Sequence, residues 1–364
     1  MTRARLRDLG ITIGRLPTGP YNAITDVSGV LVGHTTIIRD EPRIARTGVT
    51  VIVPREGNIW HDNAFAGFHS FNGCGEMTGV HWLKESGLLC SPVAITCTHQ
   101  VGTAHQALMK YGHKWDKNMV GALPVVAETW DGWLNDAYAF HITEEDVFKA
   151  MESALGGVPA EGCVGGGTGM ICHDFKGGIG TSSRIVETNS GAFTVGALVQ
   201  ANHGGRDLFR IDGVPVGREI PASHTPLAWD DVPETSSIIV VVATDAPLIP
   251  TQCDRLAQRA TLGLARTGGI GSNGSGDIFL AFATGNHFAG HNESLHEIKM
   301  MPHHHMTPLF EAVAEAVEEA ILNVLTAAET TKGFKGRTAQ AMPLDEVKRI
   351  WEKYRPARPL KYRA

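Results

Sequence analysis

Short runs of apolar and β-branched residues punctuate the chain. They are Val49–Val53 (VTVIV), Pro92–Cys97 (PVAITC), Phe193–Val199 (FTVGALV), Ser237–Ala243 (SIIVVVA) and Asp277–Ala283 (DIFLAFA). Glycine or proline lies near each run, and this composition predicts strands. Several runs are apolar on both faces, as expected of strands buried between layers. Three helices are legible between them. Thr251 with Asp254 reads as a capping box for a helix that stops before Gly268-Gly269. Thr307-Pro308 reads as an N-cap with proline in the first turn. Leu309, Val313, Val317, Ile321 and Val324 then follow at helical spacing, facing away from Glu311, Glu315, Glu318 and Glu319. A third helix runs from Thr143 to Leu155, with Thr143 capping and Asp146 at the third position. Strands and helices interspersed in this way predict an α/β or α+β class with layered sheets. No linker or composition shift marks a domain boundary.

Composition narrows the class. The 364 residues are 43% hydrophobic with a net charge of -6, which excludes a disordered chain and argues against a nucleic-acid binder. No apolar run approaches the length of a transmembrane helix. The basic start, Met1 to Gly10, leads into no apolar stretch and does not read as a secretory signal. The six cysteines, Cys74, Cys90, Cys97, Cys163, Cys172 and Cys253, form no CxxC pair. They read as buried thiols of a reducing compartment, so a cytoplasmic protein is expected.

Glycine is the outlier: 42 residues, about 11.5% against a usual share near 7%. The glycines cluster at Asn72–Glu76 (NGCGE), Gly162–Gly169 (GCVGGGTG), Gly177-Gly178, Asn202–Gly205 (NHGG) and Gly268–Gly276 (GGIGSNGSG). None matches a phosphate cradle. GGGTG lacks the Lys-Ser/Thr of a P-loop, and the residues from Met170 to Gly177 are a poor helix start for a dinucleotide fingerprint. Tight turns and close packing are the expected use.

The most informative stretch is Glu234 to Pro247 (ETSSIIVVVATDAP). A polar turn runs directly into a buried strand with Ser237 at its mouth. Gly274-Ser-Gly-Asp277 opens a second buried strand, and alternation puts Ser275 and Asp277 on one face of it. A serine hydroxyl needs a base or a relay to become a nucleophile. A free α-amine on the serine itself would serve, if the chain were cut immediately before it. Serines at strand ends are common, and spacing alone favours a purely structural role.

The sequence resembles the DmpA-like family of autoprocessing serine peptidases, which includes L-aminopeptidase/D-amino-acid esterase-amidases and β-aminopeptidases. The stretches that carry the resemblance are Gly19 to Thr36, Asn72 to Gly79, Thr98 to Gly102, Glu128 to Asp136, Gly165 to Met170 with Phe175 to Thr181, Ser237 to Pro247, and Gly274 to Asp277. They span nearly the whole chain. The resemblance implies a single four-layer αββα sandwich over residues 1–364. It also implies self-cleavage between Ser236 and Ser237 into an α chain, 1–236, and a β chain, 237–364. Ser237 would then be the nucleophile, Ser275 and Asp277 the pair that polarises it, and Asn202 a donor to the oxyanion. Glu128 would meet the substrate's free amino group. Three departures stand out. Ser236 replaces the usual Gly or Asn before the cut, and the doubled serine leaves Ser236 open as an alternative nucleophile. Trp130 and Trp133 stand where relatives often carry tyrosine, so a pocket of altered size or substrate range is expected around them. Cys74 stands in place of another small residue and is expected to be a packed free thiol.

His303-His304-His305 reads as a solvated loop, since three adjacent side chains diverge and share one ion poorly. With no metal-ligand spacing elsewhere, no metal and no cofactor are expected. The resemblance implies a homotetramer that releases small N-terminal residues from short peptides, amides or esters, and neither nucleic acid nor membrane is expected as partner. Two other readings remain: an autoprocessing acyltransferase of the ornithine acetyltransferase type, and a non-catalytic binding protein on the same scaffold.

Overall fold

A computed structural model describes residues 3–117, 119, 123–228, 236–288 and 295–355. Glu234 and Thr235, from the polar turn ahead of Ser237, lie outside the described residues. The strands are β1 (Leu31–Arg39), β2 (Ala45–Val53), β3 (Ala64–Ser70), β4 (Leu88–Leu89), β5 (Val93–Cys97), β6 (Val125–Thr129), β7 (Ile171–Cys172), β8 (Phe175–Lys176), β9 (Gly178–Thr188), β10 (Gly191–Asn202), β11 (Ser237–Thr244) and β12 (Gly276–Ala283). The helices are α1 (Val80–Ser86), α2 (Val101–Trp115), α3 (Glu144–Glu152), α4 (Val216–Glu219), α5 (Pro250–Thr267), α6 (Met306–Ala327) and α7 (Leu344–Tyr354).

Two sheets carry the architecture. One has the order β1-β2-β5-β6, the other β4-β3-β12-β11-β10-β9. Alternation along each strand sends side chains to two different cores. Ile239, Val241 and Ala243 of β11 meet Ile52, Ile95 and Ala127 of the smaller sheet, which makes the core between the sheets. Ile238, Val240 and Val242 point the other way, onto Leu256 and Ala260 of α5 and Val313, Val317 and Ile321 of α6. The outer face of the smaller sheet, through Val49, Val51 and Val126, packs on Ala104 and Leu108 of α2 and Val147 of α3. Helix, sheet, sheet, helix is thus the layer order, the expected αββα sandwich. The five predicted strands all form, with Phe193–Val199 extended to span Gly191–Asn202.

The helices differ from expectation at their ends. Thr143 caps α3 as predicted, its N–H and hydroxyl both donating to Asp146 Oδ2 at 2.9 and 2.7 Å. That helix ends at Glu152, before Leu155, whose backbone pairs with Val32 at the edge of β1 instead. Thr251 and Asp254 form no capping box. Pro250 starts α5, where a missing N–H costs nothing, and Ile249 N–H donates to Gln252 Oε1 at 3.3 Å. Asp254 Oδ1 instead accepts from Phe68 N–H at 3.0 Å, joining α5 to β3. Thr307 is not the cap of α6, because the turn at His303–His305 lets the helix begin at Met306.

The acidic face of α6 departs further from expectation. Glu315, Glu318 and Glu319 are buried, at 3%, 4% and 0% exposure. Glu315 and Glu319 lie over β9, whose Arg184 is itself fully buried, while Glu318 accepts from Arg266 Nη1 of α5 at 3.4 Å. Arg184 Nε donates to Glu315 Oε2 at 2.9 Å and Nη2 to Glu319 Oε2 at 2.7 Å. Arg7 Nε donates to Glu319 Oε1 at 2.7 Å, and Asn22 Nδ2 to the same oxygen at 2.6 Å. A charged helix face is buried here because β9, α5 and the N-terminal segment supply the counter-charges.

The cysteines are all unpaired. Cys97, Cys172 and Cys253 are buried, but Cys74 is exposed, against the expectation of a packed thiol. It sits in the loop 72–76, where its N–H donates to the Ser275 carbonyl oxygen at 3.1 Å.

Candidate active site

β11 and β12 run parallel with Ser237 opposite Gly276, and β11 and β10 run antiparallel with Ser237 opposite Asn202. Ser237 therefore heads a strand that is paired on both sides. It is nearly buried, as are Ser236, Ser275, Asp277 and Asn202. Ser275 Oγ donates to Asp277 Oδ1 at 2.6 Å and lies 3.1 Å from Ser236 Oγ. Because a hydroxyl has one proton, Ser275 gives its own to Asp277 and accepts from Ser236.

The pair expected to polarise Ser237 thus meets the side chain of Ser236. Alternation explains this. The register puts residue 236 opposite 275, while Ser237 and Gly276 point to the opposite face, the one between the sheets. Gly276 N–H also donates to the Ser236 carbonyl oxygen at 3.1 Å. The carbonyl of the 236–237 peptide is thereby already polarised by a backbone donor.

On the inter-sheet face, Asn202 is held at both ends of its amide. Its Oδ1 accepts from Ile171 N–H at 2.8 Å and its Nδ2 donates to Trp130 O at 3.0 Å. These bonds use one of its two amide protons. Glu128, on β6 of the facing sheet, is buried. Its Oε1 accepts from Glu76 N–H at 3.0 Å and its Oε2 from the Thr98 hydroxyl. Burial raises the Glu128 pKa above the usual carboxylate value, Thr98 and the Glu76 amide oppose this, and the Glu76 charge adds to it. Gly75 links Glu128 to the serine strand. A Cβ added to Gly75 would lie 3.1 Å from Gly276 Cα and 3.3 Å from Glu128 Oε1. Gly276 is equally constrained, since a Cβ there would come within 2.5 Å of the Cys74 carbonyl oxygen.

Trp130 and Trp133 part company. Trp133 is buried with Leu134, Ile171 and Ala339, and Arg337 lies over its ring at 5.3 Å. Trp130 is half-buried at the edge of that cluster, and its backbone carbonyl is the one that holds Asn202.

Several supporting residues carry no separate signal in the sequence. Asn72 Oδ1 accepts from Asp277 N–H at 2.6 Å and its Nδ2 donates to Ser272 O at 3.0 Å, which fixes the loop around Ser275. Gln200 Nε2 donates across the sheets to Thr96 O and Thr129 Oγ1, both at 2.9 Å. Asn72 and Thr98 stand in stretches that carry the family resemblance, but only the folded chain shows what they hold.

Stacked sheets between helix layers, with a serine at the head of a central strand, are the architecture of N-terminal-nucleophile hydrolases. A solved structure 44% identical, with a TM-score of 0.89 over 96% of this chain and 98% of its own, is described as a variant of that fold: the L-aminopeptidase D-Ala-esterase/amidase of Ochrobactrum anthropi. A β-aminopeptidase from a Burkholderia species is 46% identical, with a TM-score of 0.90 over 98% of this chain and all of its own. By sequence, the β-peptidyl aminopeptidase BapA of Sphingosinicella microcystinivorans is 45% identical across 96% of this chain and 92% of that protein. The profile of peptidase family S58 matches residues 22–339. The chain belongs to peptidase family S58 and is an aminopeptidase. No described helix is long and apolar enough to cross a membrane.

Proposed function

We propose that the chain cuts itself between Ser236 and Ser237, and that Ser237 is then the nucleophile of an aminopeptidase acting on short peptides, amides and esters. The observation that carries this is the junction itself. The Ser236 carbonyl accepts the Gly276 N–H at 3.1 Å at the head of a strand flanked by Asn202 and the Ser275–Asp277 pair. In the self-cleavage, Ser237 Oγ attacks the Ser236 carbonyl carbon and the peptide C–N bond breaks. This leaves an ester on Oγ and a free α-amine. Water hydrolyses the ester to give a carboxylate at Ser236. The cut also unties Ser236 from Ser275, whose hydroxyl becomes available to the new amine.

In turnover, the α-amine of Ser237 takes the Oγ proton as Oγ bonds to the substrate carbonyl carbon. Asn202 Nδ2 donates to the oxyanion. The proton passes to the departing amine, and water then releases the acyl group. Glu128, held by neutral donors, meets the substrate's ammonium, a partner that a buried carboxylate requires. The substrates named for the relatives extend the reading to β-amino-acid peptides. Small N-terminal residues suit the close approach of Gly75 to both Gly276 and Glu128, and Trp133 acts as packing.

The cytoplasm and a homotetramer complete the proposal. Six unpaired cysteines suit a reducing compartment. Exposed Tyr138 and Phe140, stacked around His99, offer an apolar surface for self-association. Denaturing mass spectrometry of fresh protein tests the cut: fragments 1–236 and 237–364 are expected. A fragment beginning at Ser236 moves the nucleophile back one residue. An intact chain that is inactive on aminoacyl amides ends the proposal.

Replacing Glu128 tests substrate binding separately. Glu128→Gln is expected to raise KM for substrates with a free amine by about 10- to 100-fold, the cost of one charged hydrogen bond, while the self-cleavage proceeds. The sign of the pH effect comes from the raised pKa. The ionised carboxylate binds the ammonium, so kcat/KM falls as pH drops through a value above the usual Glu range. The Gln variant loses that limb of the profile.

A further inference from the structure

The β7–β8 hairpin turns through His173 and Asp174, whose φ angles are 50° and 58°. Two positive φ values in a two-residue loop define the tight hairpin turn that most side chains avoid. The turn brings the ring of His173 back beside its neighbour Cys172, so two adjacent residues face one place. The end of β10 adds His203. One donor atom from each of the three lies within 4.8 Å of the others, and all three side chains are buried. Cys172 Sγ is 3.9 Å from His203 Nδ1. Nε2 of His173 and Nε2 of His203 are both buried without a hydrogen-bond partner. Two buried imidazoles that converge with one thiol, each with a ring nitrogen lacking a partner, call for an explanation, and an ion bound between the three side chains supplies one.

We propose that Cys172, His173 and His203 form a site for a thiophilic d10 cation, Cu⁺ or Zn²⁺. The donors need little movement. Metal–nitrogen and metal–sulfur bonds of about 2.0 and 2.3 Å put such donors roughly 3.5 Å apart. His173 Nδ1 lies 3.2 Å from the Gly205 carbonyl oxygen, the outer partner that fixes a ligating ring and leaves Nε2 for the metal. Binding displaces the thiol proton, so Cys–SH and the cation give Cys–S–metal and H⁺.

Charge favours the monovalent ion. A thiolate with Cu⁺ is neutral, whereas Zn²⁺ leaves a positive charge and an open fourth position. Lys176 and Arg206 already stand near the hairpin. Lys176 Nζ donates to three backbone carbonyls, and the Asp174 carboxylate, held by the Arg206 backbone N–H at 2.9 Å, offsets the charge of Arg206. The site would also steady the oxyanion donor. Ile171 and Asn202, each next to a ligand, are joined by the 2.8 Å bond that orients the Asn202 amide.

The test uses the intact protein under reducing, anaerobic conditions. It is incubated with Cu⁺ in one arm and Zn²⁺ in another, gel-filtered, and assayed for metal per chain and for Tm. One ion per chain with a raised Tm is expected, Cu⁺ being held more tightly. Cys172→Ser and His203→Gln are each expected to lose it, and Cys74→Ser, which removes the exposed thiol, to keep it. Retention of Zn²⁺ alone, dependent on Cys172, also supports the site and reassigns the ion. If either variant does not fold, X-ray absorption on the loaded wild-type protein must show one sulfur and two nitrogen neighbours. No retained metal, retention unaffected by Cys172→Ser, or a sulfur-free coordination shell overturns the proposal. None of these results depends on the assignment of Ser237.

Discussion

Ser237→Ala is expected to leave a single 364-residue chain with no aminopeptidase activity. Two losses coincide in this variant. Without Oγ there is no attack on the Ser236 carbonyl, so no α-amine is released, and without Oγ there is no acyl-enzyme in turnover. Removing a nucleophile from a cooperating set costs on the order of 10⁴- to 10⁶-fold in kcat. The variant should fold normally, since the change deletes one atom at the end of a strand paired on both sides. Ser236→Ala is the informative companion. It removes a hydroxyl that touches Ser275 but keeps the carbonyl bound by Gly276 N–H, so it should still be cut ahead of Ser237. Electrophoresis and an aminoacyl-amide assay of both variants check this. A cut and active Ser237→Ala, or an uncut and inactive Ser236→Ala, reverses the roles of the two serines.

Arg184→Ala is expected to cost about 3–5 kcal/mol of stability, the usual penalty for breaking a buried ion pair by removing one partner. It would leave Glu315 and Glu319 under β9 without their shared guanidinium, with Arg7, Asn22 and backbone amides only partly compensating. Arg184→Ala combined with Glu315→Gln and Glu319→Gln should lose less, because the one charge left without its partner, Arg7, is partly exposed rather than buried. Urea midpoints measure both. The pH dependence has a definite sign. Burial alone would raise the Glu319 pKa, but the Arg7 hydrogen bond and the charges of Arg184 and Arg7 hold it below its ordinary value. A depressed carboxyl stabilises above its unfolded pKa, and that stability is lost as pH falls through the lower folded value. The wild-type midpoint should therefore drop in acid below the usual glutamate range, and the triple variant should lose that component. Equal losses for the single and triple variants would show that the charges are not coupled.

The strands most visible in the sequence are those apolar on both faces, β11 and β12 above all, and they are central in the larger sheet. β9 is illegible for the opposite reason. Its Thr181, Ser182, Ser183 and Arg184 are buried and polar, and their partners lie far along the chain: Ser182 Oγ donates to Ala316 O, and Arg184 to the α6 glutamates. The acidic stripe on α6 escapes with it, because a helical wheel does not reveal a charged partner on another element. At the site, Ser237, Ser275, Asp277, Asn202 and Glu128 can be named through the family resemblance, and the structure gathers them at one end of the sheets. Register is what the sequence leaves hidden. Only the pairing of Ser237 with Gly276 reveals that Ser275 lies against Ser236. The cluster of Cys172, His173 and His203 is hidden for a similar reason, since adjacent residues converge only when the chain between them turns back through positive φ.

The order of the larger sheet has a consequence for how the protein can be handled. β11 and β12 belong to the part of the chain after residue 236, yet β10 and β9 lie on one side of them and β3 and β4 on the other, all from the part before it. A cut ahead of Ser237 leaves two polypeptides interleaved through the middle of one sheet, with every ladder intact. Such halves do not dissociate while folded, however dilute the solution. They would have been brought together as one chain, when meeting was intramolecular, and once denatured they would have to find each other as separate molecules. Refolding yield of the cut protein should then depend on concentration, while that of Ser237→Ala should not. The mature enzyme would persist through a slow rate of unfolding, like a knot tied before the rope is cut.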